Sequence, residues 1–269
     1  MSLTAPLSIS TSDAAADAKV AMTAVIPTLN ESAQIAEAVE DLAWLDEIIV
    51  VDGGSTDDTR ALAECAGARV IVVTGETIAG QRNAGIATAR NAWVLALDAD
   101  ERVSPELRNE LATIAANGGV MHAAYRMRFR NFYLGRELRH GPWGRDWHIR
   151  LSTRDRRWIT NRVHEHLEHV DDVGTFAGTI IHRPYRDIAH HASKIVKYAK
   201  WGAEDLHARG RTASLWTIAM RPGWRFVRDY IFYSGWRDGS VGFIASALSA
   251  FAAFLKYAFL FAKSRAPEP

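Results

Sequence analysis

An acidic cluster, Leu97-Asp98-Ala99-Asp100-Glu101, follows a short apolar run and carries side chains suited to metal chemistry. In an extended segment, residues two apart point the same way, so Asp98 and Asp100 can face one site. Two carboxylates held that close repel each other unless a cation or a proton lies between them. Hard oxygen ligands of this kind suit Mg²⁺ or Mn²⁺ that also holds a diphosphate. A solvated loop is the alternative for so short a motif.

A second polar turn, Asp52-Gly53-Gly54-Ser55, follows a β-branched run and could bind a flat ligand. Gly53 and Gly54 would let the backbone approach such a ligand closely. Asp52 could accept a hydrogen bond from a base ring N–H or from ribose hydroxyls. The sequence has neither G-x-G-x-x-G after its first apolar run nor a Walker A loop, so dinucleotide and P-loop sites lose support. A helix N-cap is the alternative role for this turn.

Two further segments before residue 100 carry polar side chains of interest. The turn Pro27-Thr28-Leu29-Asn30-Glu31 follows the first apolar run, where a turn with a helix cap is a sufficient alternative explanation. Arg82 is the only basic residue between positions 70 and 89. Arg82 could bind a phosphate group or form ion pairs that hold an acidic site in place. The alternative is an arginine exposed on the surface.

The segment His164-Glu165-His166 invites a zinc interpretation, but the spacing H-E-x-x-H requires a histidine where Glu168 stands. Glu165, with histidine and arginine nearby, could instead act as a general base. His164 could orient it. The alternative is a polar strand with His164 and His166 on one face.

The elements around these segments predict a Rossmann-like α/β fold. Four apolar runs predict buried strands at Ala21–Pro27, Glu47–Val51, Arg69–Val73 and Ala92–Leu97. Helical segments separate them, and Ser104-Pro105-Glu106 has the cap, the first-turn proline and the acidic residue of a further helix start. This alternation predicts a mostly parallel sheet with helices on both faces.

Beyond residue 120 the pattern changes. Extended segments are predicted at Ala123–Tyr133, Asp146–Leu151, Trp158–Leu167 and Thr175–His182, and helices at Ile188–Arg209 and Gly223–Tyr233. We therefore expect a disordered tail over residues 1–20, an α/β catalytic domain over 21–185 and a helical C-terminal region over 186–269.

Composition limits the classes of protein. Of the 269 residues 48% are hydrophobic and 23% charged, which excludes wholesale disorder. One cysteine, Cys65, excludes an internal disulfide framework and is expected to be buried. The net charge of +1 divides into −11 over residues 1–120, +8 over 121–211 and +4 over 212–269. The acidic part would repel nucleic-acid phosphates, so no nucleic acid is expected as a partner, whereas the basic part favours an anion or an anionic surface.

The two ends of the chain differ in character. The first 20 residues lack the basic and apolar regions of a secretory signal, so a cytoplasmic location is expected. Residues Val241–Ala262 are apolar or small except for Lys256. Arginines and aromatic residues suited to a lipid headgroup layer precede them: Arg221, Trp224, Arg225, Arg228, Tyr230, Trp236 and Arg237. Amphipathic helices at a membrane surface are favoured over soluble core helices and over a true span.

Taken together, four motifs carry a family resemblance. They are V-I-P-T-L-N-E, I-V-V-D-G-G-S-T-D-D-T, G-Q-R-N-A-G and L-A-L-D-A-D-E. In this order and spacing the chain resembles the family-two inverting glycosyltransferases, whose nucleotide-diphosphosugar fold is the glycosyltransferase A type, over residues 21 to about 185. The later V-H-E-H element and the G-W-R-D-G…F segment look like the lipopolysaccharide-core β-glucosyltransferases.

The resemblance implies roles position by position. The first nucleotide-binding turn of the family is matched by Pro27, Thr28, Asn30 and Glu31. The turn that meets the uracil is matched by Asp52 with Gly53 and Gly54. Arg82 matches the basic residue near the base and the phosphates. Asp98 and Asp100 match the D-x-D pair of the metal site, in which Asp98 would touch the ribose side and Asp100 the metal. Family members usually carry an E-D element for the catalytic base. This chain lacks an obvious one, and Glu165 takes that role here, with His164 beside it.

The implied reaction is inverting transfer of a hexose, glucose above all, from a UDP-sugar to a saccharide hydroxyl of lipopolysaccharide core or a related cell-envelope glycan. Mg²⁺ or Mn²⁺ would be the cofactor. The basic segment would meet a phosphorylated acceptor, and the C-terminal region would rest on the anionic inner face of a bacterial inner membrane.

Three other functions stay open at this point. Transfer to a polyprenyl phosphate is compatible with an interfacial C-terminal region. A non-catalytic nucleotide-sugar-binding module would keep the turns without the chemistry. A metal hydrolase would use Asp98, Asp100 and a histidine such as His182.

Overall fold

A four-stranded parallel unit forms the first half of the fold. The computed structural model describes residues 19–116, 122–159 and 165–265. The chain runs through β1 (Val20–Thr28), α1 (Ile35–Glu40), β2 (Leu45–Asp52), α2 (Thr59–Cys65), β3 (Arg69–Val72), α3 (Ile78–Thr88) and β4 (Trp93–Ala96). The strands lie in the order β3-β2-β1-β4, all parallel, with Thr28 opposite Asp52 and Val25 opposite Ala96. The predicted α/β unit with crossover helices is confirmed.

The second half of the sheet mixes strand directions. It comprises β5 (Glu101–Val103), α4 (Pro105–Ala116), β6 (Ala124–Tyr133), β7 (Arg136–Leu138), β8 (Trp147–Thr153), β9 (Trp158–Ile159), β10 (His166–Leu167) and β11 (Val173–His182). Beyond β4 the order is β8-β6-β11-β5. Strand β8 is antiparallel to both β4 and β6, whereas β11 is parallel to β6 and antiparallel to β5. The sheet is therefore parallel in its first half and mixed in its second.

Alternation along β1 explains why helices cover both faces of the sheet. Ala24 and Ile26 face a core that also contains residues of α1, α2 and α4, while Val25 faces a second core with residues of α3. Because successive strand residues point to opposite faces, a strand buried on both faces reads as a continuous apolar run. Gly85 lets α3 approach closely, since a Cβ there would lie 2.5 Å from Val25 Cγ1.

Three helices follow the sheet: α5 (Ile188–Ala208), α6 (Leu215–Val227) and α7 (Gly239–Lys263). Helix α7 packs against both α5 and α6. A one-turn π-helical segment and a 3₁₀ turn lie between α6 and α7. Asp238 in that 3₁₀ turn accepts hydrogen bonds from the backbone N–H and Nδ1 of His140, both at 2.8 Å, and so anchors the C-terminal region to the sheet.

Three predictions on the elements are wrong. The second C-terminal helix begins at Leu215 rather than Gly223, because Ser214 caps it and the helix continues through Pro222. The strand predicted over Trp158–Leu167 is two short strands, β9 and β10, that pair antiparallel. Cys65 is exposed rather than buried, since it lies in the last turn of the short surface helix α2. The predicted tail lies almost wholly outside the described residues.

Candidate active site

The polar turns after β1 and β2 are tied to each other. The backbone N–H of Asn30 donates to Ser55 Oγ at 2.8 Å, and Asn30 Oδ1 accepts from the backbone N–H of Thr56 at 2.9 Å. Asn30 has a φ of 58°, a conformation that asparagine adopts more readily than most residues. The carboxyl edge of the parallel sheet is thus a fixed rim rather than two independent loops.

Asp52 lies buried beneath this rim. Its Oδ2 accepts from the backbone N–H groups of Gly54 at 3.0 Å and Ser55 at 2.9 Å. Its Oδ1 is buried and has no hydrogen-bond partner among the described residues. A Cβ on Gly53 would lie 2.3 Å from Gln81 Nε2 and 3.3 Å from the carbonyl oxygen of Thr28, so the Gln81 side chain covers Gly53 closely. A buried carboxylate oxygen without a partner is costly unless a donor reaches it.

A cleft of about 910 Å³ opens above the carboxyl ends of β1 and β4. Most of the predicted site residues line it: Pro27, Thr28, Asn30, Glu31, Asp98, Asp100 and Glu165. Asp52, Gly53, Gly54 and Arg82 lie behind this lining, although Gln81, which covers Gly53, is part of it. The cleft therefore lies where open α/β sheets bind their ligands, outside the carboxyl ends of the parallel strands.

Arg82 joins two of the cleft carboxylates. Its Nη2 donates to Asp98 Oδ1 at 2.6 Å and its Nη1 to Glu165 Oε2 at 3.0 Å. The guanidinium carbon lies 4.4 Å from the centre of the Trp158 ring, and Arg82 is only 3% exposed. Of the two functions that the sequence allowed, the geometry shows the bracing of an acidic site.

A second arginine, Arg150, neutralises the other side of the acidic cluster. Its Nη2 donates to Glu101 Oε1 and lies 3.3 Å from Asp98 Oδ2. Burial raises the pKa of Asp98, but Arg82 and Arg150 outweigh it, and the net effect holds this pKa well below its usual range. Asp98 is therefore an ionised carboxylate held between two arginines.

Asp100, Glu101 and His182 form a group whose ligand atoms all lie within 4.8 Å of one another. Strand register brings them together, because His182 in β11 lies opposite Glu101 in β5 and opposite Asn131 in β6. His182 Nδ1 lies 2.7 Å from Asn131 Oδ1, which directs Nε2 towards Asp100 Oδ1 at 3.6 Å. Burial lowers the pKa of His182, but its hydrogen bond to Asp100 and the surrounding carboxylates raise it overall.

This donor set fits a hard divalent cation. Glu101 already accepts from Arg150 and, through Oε2, from the backbone N–H of Asp98. Asp100 and His182 face each other at 3.6 Å and offer one carboxylate oxygen and one ring nitrogen as candidate ligands, with room for further ligands from the cleft. Mg²⁺ and Mn²⁺ accept such partly filled sites. The sequence had paired Asp98 with Asp100, whereas the geometry pairs Asp100 with His182.

Glu165 faces the same cleft from the segment before β10. Burial raises its pKa, and the charge of Arg82 works in the opposite direction. A carboxylate whose pKa lies closer to neutrality is a better general base than an ordinary exposed glutamate. His164, predicted beside it, lies outside the described residues.

Sequence reasoning missed two members of this site. Arg150 and Asn131 each hold a candidate ligand in place, and neither was singled out. Their only signal is strand register: Asn131 faces His182 across β6 and β11, a pairing of residues 51 positions apart. Such a long-range pairing leaves no local motif.

A cleft at the tips of parallel strands that combines several carboxylates, a histidine and two buried arginines is typical of an α/β enzyme acting on a polar ligand. The chain belongs to glycosyl transferase family 2, whose model matches residues 23–171. This confirms the resemblance carried by the four motifs.

The relatives extend over most of the chain. An uncharacterised glycosyltransferase from Rickettsia typhi is 31% identical over 87% of this chain and 84% of its own length. The lipopolysaccharide core biosynthesis glycosyltransferase LpsC from Rhizobium meliloti is 28% identical over 88% of this chain and 90% of its own length. Among solved structures, glucosyl-3-phosphoglycerate synthase from Mycobacterium tuberculosis, in complex with Mn²⁺, UDP and glucosyl-3-phosphoglycerate, is 26% identical over 43% of this chain and 46% of that one. Its TM-score of 0.34 is too low for a comparison of the two sites.

Proposed function

We propose that this chain is an inverting glycosyltransferase that moves a hexose, glucose above all, from a UDP-sugar to a hydroxyl of lipopolysaccharide core or a related cell-envelope glycan. The observation that supports it best is the Arg82 bridge, which holds Glu165 and Asp98 together at the cleft that Asp100 and His182 also border. The similarity to LpsC supports the acceptor class.

The donor would lie along the rim of the parallel sheet. Thr28, Asn30 and Glu31 line the cleft and would contact the nucleoside. The free Oδ1 of Asp52 would accept from the uracil ring N–H once Gln81 moves from above Gly53. Asp98, held by its arginines, would accept from ribose hydroxyls.

Mg²⁺ or Mn²⁺ would be held by Asp100 and His182, and when bound it stabilises the negative charge that develops on the leaving diphosphate. Asn131 fixes the His182 ring through Nδ1 and so leaves Nε2 available as the ligand atom. Arg150 holds Glu101 aside and limits the charge of the cluster.

Glu165 would take the proton of the acceptor hydroxyl as the acceptor oxygen bonds to C1 of the sugar. The bond from C1 to the phosphate oxygen breaks with its electron pair, and UDP leaves from the opposite face. One displacement inverts the configuration at C1. General-base assistance of this kind contributes about 10²–10⁴-fold.

The C-terminal helices would rest on an anionic membrane surface at the cytoplasmic side. Trp216, Met220 and Trp224 are exposed at intervals of four residues on α6, and the Trp224 ring lies 5.7 Å from that of exposed Phe232. Helix α7 lies within a segment long and apolar enough to cross a membrane; it packs against α5 and α6, yet only 17% of the most apolar part of that segment is buried. Exposed aromatics with nearby arginines suit a headgroup layer.

Sedimentation with vesicles of phosphatidylcholine and phosphatidylglycerol tests this contact with the membrane. The double variant Trp216→Ala, Trp224→Ala should no longer pellet with the vesicles. Trp147→Ala, a change at an exposed tryptophan on the sheet, should still pellet.

Turnover decides the reaction. The full-length protein is assayed with a panel of UDP-sugars, Mn²⁺ and a lipid A–core extract, and we expect metal-dependent transfer of label to the extract. Label in an organic-extractable prenyl phosphate would instead support transfer to polyprenyl phosphate. Sugar release without an acceptor would support a hydrolase, and nucleotide binding without turnover of any donor would support a binding module.

A further inference from the structure

One face of α5 forms a wall of the cleft. His190, Lys194, Lys197, Tyr198 and Trp201 all line it, and their spacing places them on one side of the helix. We call these five residues the α5 cleft face. Ala199 and Ala203 lie buried on the opposite side, and Gly202, between the two sides, approaches Lys256 of α7. The helix is thus fixed from behind while it presents side chains to the cleft.

The α5 cleft face is basic, whereas the wall formed by the parallel sheet is acidic. Lys194 and Lys197 make no ion pair with a carboxylate of the described residues; Lys194 Nζ donates only to the carbonyl oxygen of Pro184, at 3.2 Å. Burial lowers the pKa of His190, and Lys194 and Arg186 add to that effect, so the charge of this wall comes from the lysines and Arg186. An anion that no metal ion bridges to the carboxylate wall is repelled by that wall and attracted by this one.

Two aromatic rings stand beside the lysines. Tyr198 and Trp201 contact each other edge to face, with ring centres 5.6 Å apart, and Lys197 Nζ lies 4.7 Å from the centre of the Trp201 ring. Burial raises the pKa of the Tyr198 phenol, as do the charges of Asp100 and Asp98. The hydroxyl is therefore neutral and within electrostatic reach of the acidic wall. A flat apolar face next to ammonium groups suits the C–H face of a sugar ring that carries an anionic group.

We propose that the α5 cleft face is the acceptor subsite and that it recognises a saccharide bearing an anionic group, either a phosphate or a carboxylate. The sugar ring packs against Trp201 and Tyr198, and Lys194 and Lys197 bind the anion. This inference rests on the proposed function, which gives the acidic wall to the donor and leaves the opposite wall to the acceptor. It narrows the acceptor from any saccharide to an anionic one.

Calorimetric titration with defined probes tests the subsite. Glucose 6-phosphate, glucuronate, glucose and inorganic phosphate are titrated into the full chain, with and without saturating UDP and Mg²⁺. We expect at least one anionic sugar to bind about tenfold or more tighter than glucose, since a charge-assisted hydrogen bond contributes roughly that much. The ratio of glucose 6-phosphate to glucuronate affinity tells phosphate from carboxylate recognition.

Variants separate the anion contacts from the ring contacts. Lys194→Gln and Lys197→Gln should each weaken the preferred anionic sugar about tenfold and leave UDP affinity within about twofold. Trp201→Ala should weaken the sugar but leave inorganic phosphate unchanged. Lys200→Gln is the matched control, because Lys200 is an exposed lysine of α5 outside the cleft lining.

Two outcomes would overturn the inference. The first is equal affinity for glucose and for both anionic sugars. The second is a loss of UDP affinity, rather than of sugar affinity, in the lysine variants, which would show that this wall binds the donor. Failure of UDP to bind at all would count against the proposed function instead. The titrations without UDP would still measure the subsite in that case.

Discussion

Arg82 and Glu165, 83 positions apart in the chain, form an ion pair of 3.0 Å in which the arginine is 3% exposed. The same guanidinium holds Asp98, so one buried cation fixes the position of two cleft carboxylates, and its charge acts to lower the pKa of both. Removing one partner of such a buried group leaves the remaining charges uncompensated. The proposed base and the proposed donor contact therefore depend on a residue that the sequence resemblance places against the nucleotide.

Replacement of Glu165 tests its role as the base. Glu165→Gln keeps the shape and a hydrogen bond to the cleft but cannot accept the proton, so kcat should fall by about 10²–10⁴-fold. Calorimetry should find UDP affinity within about twofold of the original, because the base does not hold the nucleotide in this proposal. Glu168→Gln serves as control and should leave kcat unchanged. Normal turnover by Glu165→Gln would exclude the base role.

Replacement of Arg82 separates positioning from nucleotide binding. The charge of Arg82 lowers the pKa of Glu165, so Arg82→Gln should raise that pKa further. A base works only when deprotonated, so the acidic limb of the profile of kcat/KM against pH should move to higher pH. We also expect a loss of about 3–5 kcal/mol in the free energy of unfolding. Arg211→Gln, a change at an exposed arginine that follows α5, should change neither quantity. A large loss of UDP affinity with an unmoved pH profile would show that Arg82 serves the nucleotide instead.

The parallel half of the fold and most of the cleft lining could be predicted, because both depend on local signals. Buried parallel strands read as continuous apolar runs, and the polar turns after them meet at one edge whatever the details of packing. The ion pairs of Asp98, which the sequence grouped with Asp100 as a metal ligand, could not be predicted, because the arginines that neutralise Asp98 come from α3 and β8. The role of His182 depends on its register against Asn131 and Glu101, which no local motif encodes. The predicted helix Gly223–Tyr233 began too late, because α6 starts at Leu215 and continues through Pro222.

His191 should make stability depend on pH. It is 5% exposed, stacks on Tyr185 with ring centres 3.7 Å apart, and its Nδ1 lies 3.0 Å from the Tyr133 hydroxyl. Burial, with His190 and Lys194 nearby, lowers its pKa from 6.5 to about 4. Between pH 6.5 and about pH 4, His191 is protonated in the unfolded chain but neutral in the folded one. The contribution of His191 to the free energy of unfolding is therefore fully present above pH 6.5 and is lost as the pH falls to about 4.

The size of this contribution follows from the shift, on the order of 3 kcal/mol at most. Denaturant unfolding of His191→Phe, which keeps the stacking surface but cannot titrate, should show a flatter dependence on pH in that range. His169→Gln, a change at an exposed histidine, should keep the original slope. An equal slope in His191→Phe would contradict a buried neutral histidine.

The metal prediction is tested by binding as well as by turnover. Asp100→Asn and His182→Gln each remove one of the two candidate ligands, so Mn²⁺ affinity in the presence of UDP should fall about tenfold or more for each. Electron paramagnetic resonance of free Mn²⁺ measures this directly. Asn131→Ala leaves both ligands but frees the His182 ring, and we expect an intermediate loss, since partners of metal ligands typically contribute 10–100-fold. Asp46→Asn, an exposed carboxylate at the opposite end of β2, is the control. Mn²⁺ affinity that survives in His182→Gln and is lost in Asp98→Asn would restore the aspartate pair suggested by the sequence.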